Sequence, residues 1–215
     1  MIQRFLWTCG IFAVFFASAA DFDHSHALLD KVLKQFVHAG LVNYAALQAS
    51  PAELDGYLDQ LAGVPQEDFR KWTENQQLAF LINLYNASTL RLVISHYPIR
   101  SIKEIGGALT GPWEVPVVRV FGKKLGLVEV ENRMLRKVFD EPAVHLALVR
   151  AARGSPELRN GPYLGDSLPE QFVDQGNLFP MAPQLRPPSS MLGETGPQIE
   201  EGPPPLAAAP TPRHP

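Results

Sequence analysis

The stretch Thr73-Glu74-Asn75-Gln76-Gln77-Leu78-Ala79-Phe80-Leu81-Ile82-Asn83-Leu84-Tyr85-Asn86-Ala87-Ser88-Thr89-Leu90-Arg91-Leu92-Val93-Ile94 decides the fold. It opens with a Thr-x-x-Gln capping box, in which the two side chains satisfy amide donors left free at a helix start. Residues 78–94 are apolar almost all round, the pattern of a central helix covered on most sides. Asn83, Asn86 and Arg91 argue against a membrane span. The helix is expected to run to about His96, because Tyr97, preceding Pro98, is pushed out of the helical region.

Working outward, Leu28, Leu29, Val32, Leu33, Phe36 and Val37 recur at helical spacing, with Asp30, Lys31, Lys34 and Gln35 on the other side. This predicts an amphipathic helix that stops near Gly40. A second helix begins at Pro51, which suits a first helical turn, and carries a stripe of Leu54, Tyr57, Leu58 and Leu61 before Gly63. Downstream, residues 106–116 are turn-rich around Trp113, and residues 117–121 alternate as a strand does. Gly122-Lys123 offers a two-residue hairpin turn with glycine first, and residues 125–128 form the return strand. Residues 129–139 read as a helix with Val130, Met134 and Val138 spaced by four, stopped at Asp140-Glu141-Pro142. Residues 144–149, a short apolar run between breakers, read as a buried strand. The expected class is α+β: a helix-rich N-terminal half with a long central helix, then a β-hairpin, a helix and a short buried strand. The order lacks the alternation of βαβ units.

The ends differ from this middle. Arg4, the apolar residues 5–16 and the small residues Ala17-Ser18-Ala19-Ala20 have the layout of a signal peptide cleaved after Ala19 or Ala20. About twelve apolar residues fall short of the roughly 20 that span a bilayer, so no stable membrane span is expected after cleavage. Cys9 raises a lipoprotein alternative through Leu6, but Thr8 is a poor neighbour and the apolar run continues past the cysteine. Of 20 prolines, 11 lie in the last 40 residues of the 215. From Gly176 onward the chain is therefore read as disordered or polyproline-like. The expected organisation is a signal peptide over 1–20, a globular domain over 21–175 and a proline-rich tail over 176–215.

Composition narrows the function. A formal charge of -3, from 19 basic and 22 acidic residues, lacks the basic excess that binding a polyanion needs, so nucleic acid is not an expected partner. Cys9 is the sole cysteine, which excludes a disulfide within the chain. An exported product is expected in the periplasm or secreted, with a small molecule, a peptide or an envelope protein as partner.

Three constellations could carry chemistry. Gln76, Asn83 and Asn86 lie near one stripe of the long helix, where a buried amide must find partners. They either clamp loop backbone, such as that near Gly106, or line a pocket; Glu74 lies about half a turn away from Asn83 and serves the helix start. His145 falls opposite Val144, Leu146 and Leu148, where it is either a satisfied core group or a general base. The following Arg150-Ala151-Ala152-Arg153-Gly154-Ser155-Pro156 is either a solvated loop or one whose guanidinium groups hold a carboxylate or phosphate. No G-x-S-x-G, H-E-x-x-H or G-x-x-x-x-G-K sequence occurs, so neither metal nor cofactor is expected. Asp21, Asp23, His24 and His26 could bind a metal adventitiously but read better as a frayed polar end.

Several of these stretches resemble the family known as domain of unknown function 547. Gly40-Leu41-Val42-Asn43-Tyr44 is similar to its Gly-x-Val-Asp-Tyr segment, with Asn43 where Asp is usual. Glu74 followed by Ala79-Phe80-Leu81-Ile82-Asn83-Leu84-Tyr85-Asn86-Ala87 resembles its Ala-Phe-Trp-Ile-Asn-Leu-Tyr-Asn-Ala signature. Leu127-Val128-Glu129-Val130-Glu131 with Leu135-Arg136 is similar to a Leu-x-x-Ile-Glu-x-x-x-Leu-Arg block, and residues 144–149 to an Ile-His-Phe-Ala-Leu strand. The resemblance covers residues 40–175. Many members carry a cysteine after the histidine strand and another five residues on, which invites a papain-like thiol-hydrolase reading. Here Arg150 and Ser155 stand at those positions, and Asn132 stands where a histidine is common. A chain without its signal peptide has no thiolate, and Ser155 could substitute only if His145 reached it. The reading that results is an exported binding or non-catalytic envelope module. The alternative is a hydrolase of papain-like ancestry, with His145, Glu131 and Ser155 as candidate catalytic groups and Glu74, Asn83, Tyr85, Asn86 and Arg150 as candidate pocket. The family pattern usually continues beyond this point with a further helix and strand; the tail would then be a frameshifted reading, which translating the coding DNA in its other two frames tests.

Overall fold

The computed structural model of the chain describes residues 22–107, 110–139, 141–152 and 155–178. The signal-peptide segment with Cys9, Arg153, and the tail beyond Leu178 lie outside the described residues. Helix α1 (Ala27–Phe36) forms where the apolar spacing predicts it and buries Leu29, Val32, Leu33 and Phe36. A hairpin that the sequence did not suggest follows, β1 (Val37–His38) with β2 (Leu41–Val42), turned through Ala39 and Gly40 at positive φ. Asn43 then caps α2 (Tyr44–Ala49): its Oδ1 accepts the Ala46 amide at 3.1 Å, a task that Asp performs equally well.

Helix α3 (Ala52–Ala62) buries the predicted stripe of Leu54, Tyr57, Leu58 and Leu61 and packs against α1. One turn, α4 (Gln66–Phe69), leads to the long helix α5 (Glu74–Ile94). The capping box forms: the Gln76 amide donates to Thr73 Oγ1 at 3.2 Å, and the Thr73 amide to Gln76 Oε1 at 3.0 Å. Every residue from Leu78 to Ile94 except Arg91 is buried. Helices α2 and α3 and the π-helical segment described below all pack against it, so it is the axis of the core.

The predicted hairpin is present but shifted. Strand β3 (Val118–Val120) pairs antiparallel with β4 (Lys123–Leu125), Val120 opposite Lys123, so the turn residues are Phe121 and Gly122. Both have positive φ, 50° and 69°, the requirement of a type I′ turn, which fits the twist of the strands. Gly126 then packs on backbone: a Cβ there would lie 2.7 Å from the Trp113 carbonyl oxygen. The helix expected over 129–139 is a turn of α-helix, α6 (Leu127–Glu129), that passes into a π-helical segment, Val130–Leu135.

The buried strand expected over 144–149 is a correction. Residues Val144–Ala147 form one helical turn, α7, and Leu148 returns to extended backbone. Periodicity does not separate a strand from a buried helical turn in so short an apolar run. The tail boundary also moves, because α8 (Leu168–Leu178) continues past Gly176 and buries Leu168, Phe172 and Gln175. The architecture is α+β, helix-rich, with two small antiparallel hairpins.

Candidate functional site

The two asparagines of α5 are backbone clamps. Asn83 donates from Nδ2 to the Tyr163 carbonyl at 2.7 Å and accepts the Tyr163 amide on Oδ1 at 2.9 Å. Three residues on, Asn86 does the same across a split pair, donating to the Ala147 carbonyl at 2.9 Å and accepting the Val149 amide at 3.0 Å. Each side-chain amide thus presents one donor and one acceptor, as an edge of peptide backbone would. Both residues are buried with their amide nitrogen and oxygen each engaged, and the segments they hold are 61 to 80 positions away, not the glycine-rich turn near Gly106. Gln76, the third member of the stripe, is engaged in the helix cap. Glu74 is an exposed first-turn residue with no hydrogen-bond partner for its carboxylate among the described residues.

The clamp at Val149 places Arg150 against α5 and the π-helical segment. Arg150 Nη2 donates to both oxygens of Glu131, at 2.6 and 2.8 Å. Glu131 is the one buried acidic residue among those described, and it is carried by the π turn, where the Arg136 amide reaches the Glu131 carbonyl five residues back at 2.9 Å. An i+5 closure of this kind often marks a site where a side chain is re-aimed. The same guanidinium interacts with the buried Tyr85 hydroxyl. Burial first, and then the Glu131 charge, push the Tyr85 pKa up to about 12 against the opposing influence of Arg150, so the phenol stays protonated at neutral pH. For Arg150, burial opposes the charge, but the Glu131 carboxylate and the Tyr85 hydroxyl outweigh it and raise the pKa. The Glu131 side chain is 8% exposed and that of Arg150 is 49% exposed, so one member of the pair is locked inside while the other faces water.

The remaining candidates do not assemble. Ser155 Oγ accepts the Arg150 amide at 2.8 Å and donates to the Pro156 carbonyl at 3.3 Å; it ties a loop to itself. His145 is exposed on the α7 turn, and its ring has no hydrogen-bond partner among the described residues. The expected core-or-base choice therefore falls away with the strand. Of the sequence-derived set, Tyr85, Glu131 and Arg150 converge, Asn86 holds the backbone next to Arg150, Asn83 holds Tyr163 instead, and Glu74, His145 and Ser155 do not join.

The N-terminal segment is a second correction. From Phe22 it is docked, with Phe22 stacked on Trp72 at 5.1 Å and set edge-on to Phe80 at 5.5 Å. Asp23, three residues ahead of the His26 N-cap, ties this turn to the start of α1, its oxygens accepting the Ser25 and Ala27 amides at 3.0 and 3.1 Å. His26 is buried, with Nδ1 2.7 Å from the Tyr57 hydroxyl. Burial first, then the charge of His24, lower the His26 pKa to about 4, with Asp23 opposing. Alternating Asp and His suggested a solvated end, and only packing with Tyr57 of α3, Trp72 and Phe80 of α5 draws it into the core.

Among known families, the one described as "Protein of unknown function, DUF547" matches residues 69–179. That span takes in α5, the hairpin β3–β4, the π-helical segment and α8, and it begins after the Gly40–Tyr44 stretch. No curated protein and no solved structure matches the chain.

Proposed function

The chain belongs to the DUF547 family, and on that footing we propose that it is an exported binding module, periplasmic and non-catalytic, whose ligand contact is the Arg150 guanidinium. One observation carries the reading: the half-exposed Arg150 is held by both oxygens of the buried Glu131 carboxylate, beside the protonated Tyr85 phenol. Glu131 engages only Nη2 of the planar fork, and the Arg150 side chain is half exposed. A pre-oriented guanidinium suits an oxyanion, a carboxylate or a phosphate, because less side-chain freedom is lost on binding. Export rests on the layout of residues 1–20. No helix among the described residues is long and apolar enough to cross a membrane.

The competing hydrolase reading needs a nucleophile and a base in contact. Ser155 hydrogen-bonds only to backbone, and His145 lies exposed with its ring unpartnered among the described residues, which favours binding over catalysis. The test is calorimetric titration of the purified chain with succinate and with inorganic phosphate, alongside Arg150→Gln and Arg150→Lys. Saturable binding of one anion, lost in Arg150→Gln and partly kept in Arg150→Lys, supports the module. Hydrolysis of peptide, ester or amide substrates that disappears in His145→Ala would replace it with the enzyme reading. N-terminal sequencing of the protein recovered from a secreting host tests export: a start at residue 20 or 21 is expected.

A further inference from the structure

A second polar site lies away from Arg150. A cleft of about 470 Å³ opens between α3, the C-terminal part of α5 and the hairpin β3–β4, and none of Tyr85, Glu131 or Arg150 lines it. Its walls carry three cations, Arg91, Arg119 and Lys124, against two carboxylates, Asp55 and Asp59.

Their arrangement is specific. Arg91 forms an ion pair with Asp55, Nε to Oδ1 at 2.7 Å, and donates from Nη1 to Ser95 Oγ at 3.2 Å, so its fork is held from two sides. Arg119 pairs with Asp59 through Nη2. In the antiparallel register Arg119 lies directly opposite Lys124, on the outward face of the hairpin. Directly opposed residues have Cβ atoms roughly 5 Å apart, and like charges there are destabilising unless something neutralises them. Asp59 serves Arg119, whereas Lys124 has no ion-pair partner among the described residues. The hairpin thus holds two cations side by side in a cleft whose walls sum to a single positive charge.

We propose that this cleft is a binding site for a monoanionic carboxylate ligand, with the carboxylate set between Arg119 and Lys124 and steadied by Arg91. The net charge of the walls selects the class: one carboxylate neutralises it, whereas a phosphate near pH 7 carries more negative charge and meets Asp55 and Asp59. A volume in the range of small-molecule clefts leaves room for the rest of a ligand such as a short acylated amino acid. The Arg119–Asp59 pair is more than half exposed on both sides, so exchange of its partner costs little.

The test uses N-acetylglycine as probe, followed through the backbone amide resonances of the full chain, with N-acetylglycinamide and inorganic phosphate as controls. Saturable shifts are expected at residues 91–95, 119 and 124 with N-acetylglycine, and none with the neutral amide. Lys124→Gln, an exposed change whose folding is checked by its melting temperature, should weaken binding about tenfold or more. Raising salt from 0.15 M to 0.5 M should weaken it further. Arg150→Gln should leave these shifts in place, so failure of this site and failure of the Arg150 site are read separately. Absence of saturable shifts, equal shifts with the amide, tighter binding of phosphate, or insensitivity to Lys124→Gln would each overturn the proposal.

Discussion

Acidification should weaken this fold through one ring, that of His26. The ring is 2% exposed, among Phe22, Tyr57 and their neighbours, and its pKa falls from 6.5 to about 4. Above pH 6.5 the imidazole is neutral both folded and unfolded, so stability there carries no penalty. Between pH 6.5 and about 4 the unfolded chain binds a proton that the folded chain refuses, and stability falls with pH. Each unit of that difference is about 1.4 kcal/mol, so the window costs about 3 kcal/mol, after which the contribution levels off below pH 4. Against a total of roughly 5–15 kcal/mol for an ordinary domain, such a loss is readily measured. The assay is urea unfolding followed by tryptophan fluorescence, with Trp72 stacked on Phe22 as a local reporter, at several values between pH 7.5 and 4. His26→Gln removes the titrating group while the carboxylates common to both chains cancel in the difference. The stability advantage of the parent over the variant should shrink by about 3 kcal/mol across the window. Parallel pH profiles would refute the buried, neutral His26.

Removing Arg150 or Glu131 should have unequal effects, read as thermal unfolding shifts. Arg150→Gln strands a buried carboxylate and should cost about 2 kcal/mol, while Glu131→Gln frees a guanidinium already half in water and should cost about 1 kcal/mol. Gly126→Ala drives a methyl against the Trp113 carbonyl oxygen and the Glu114 backbone, neither of which can rotate away; a loss of about 1–3 kcal/mol is expected in denaturant titration. Asn43→Ala should cost about 1 kcal/mol through loss of the α2 cap, and Asn43→Asp should be close to neutral in the same titration.

Local rules made the long helix legible: a capping box at Thr73, apolar residues on nearly every face and a proline after Tyr97 act within a few residues of each other. The hairpin β3–β4 was legible in kind and not in register. Glycine as the first turn residue is a sound expectation, yet here Phe121 takes that place at φ 50°, with its ring against Phe69 and Phe80. Tertiary packing of that ring accompanies a turn that local propensity disfavours. For the residues around the site, the sequence identified amides that needed partners but had no means of naming Tyr163, Ala147 and Val149, which become neighbours only when the chain folds back on α5. Glu131 and Arg150 were singled out separately; their pairing depends on a π turn and a clamped loop, neither of which has a short-range signature. His145 shows the cost of an ambiguous apolar run, since one helical turn in place of a strand turns it to solvent.

The claim on which the framework around Arg150 stands is that the α5 asparagines are structural clamps. Hydrogen exchange at two amides tests it most directly. Val149 and Tyr163 lie outside helix and strand, yet their N–H groups are held by Asn86 and Asn83. Both should be strongly protected, the Val149 amide should lose that protection in Asn86→Ala, and the Tyr163 amide should keep it there and lose it in Asn83→Ala. Fast exchange of both amides in the parent chain would contradict the account, because the asparagine side chains would then be available to line a pocket.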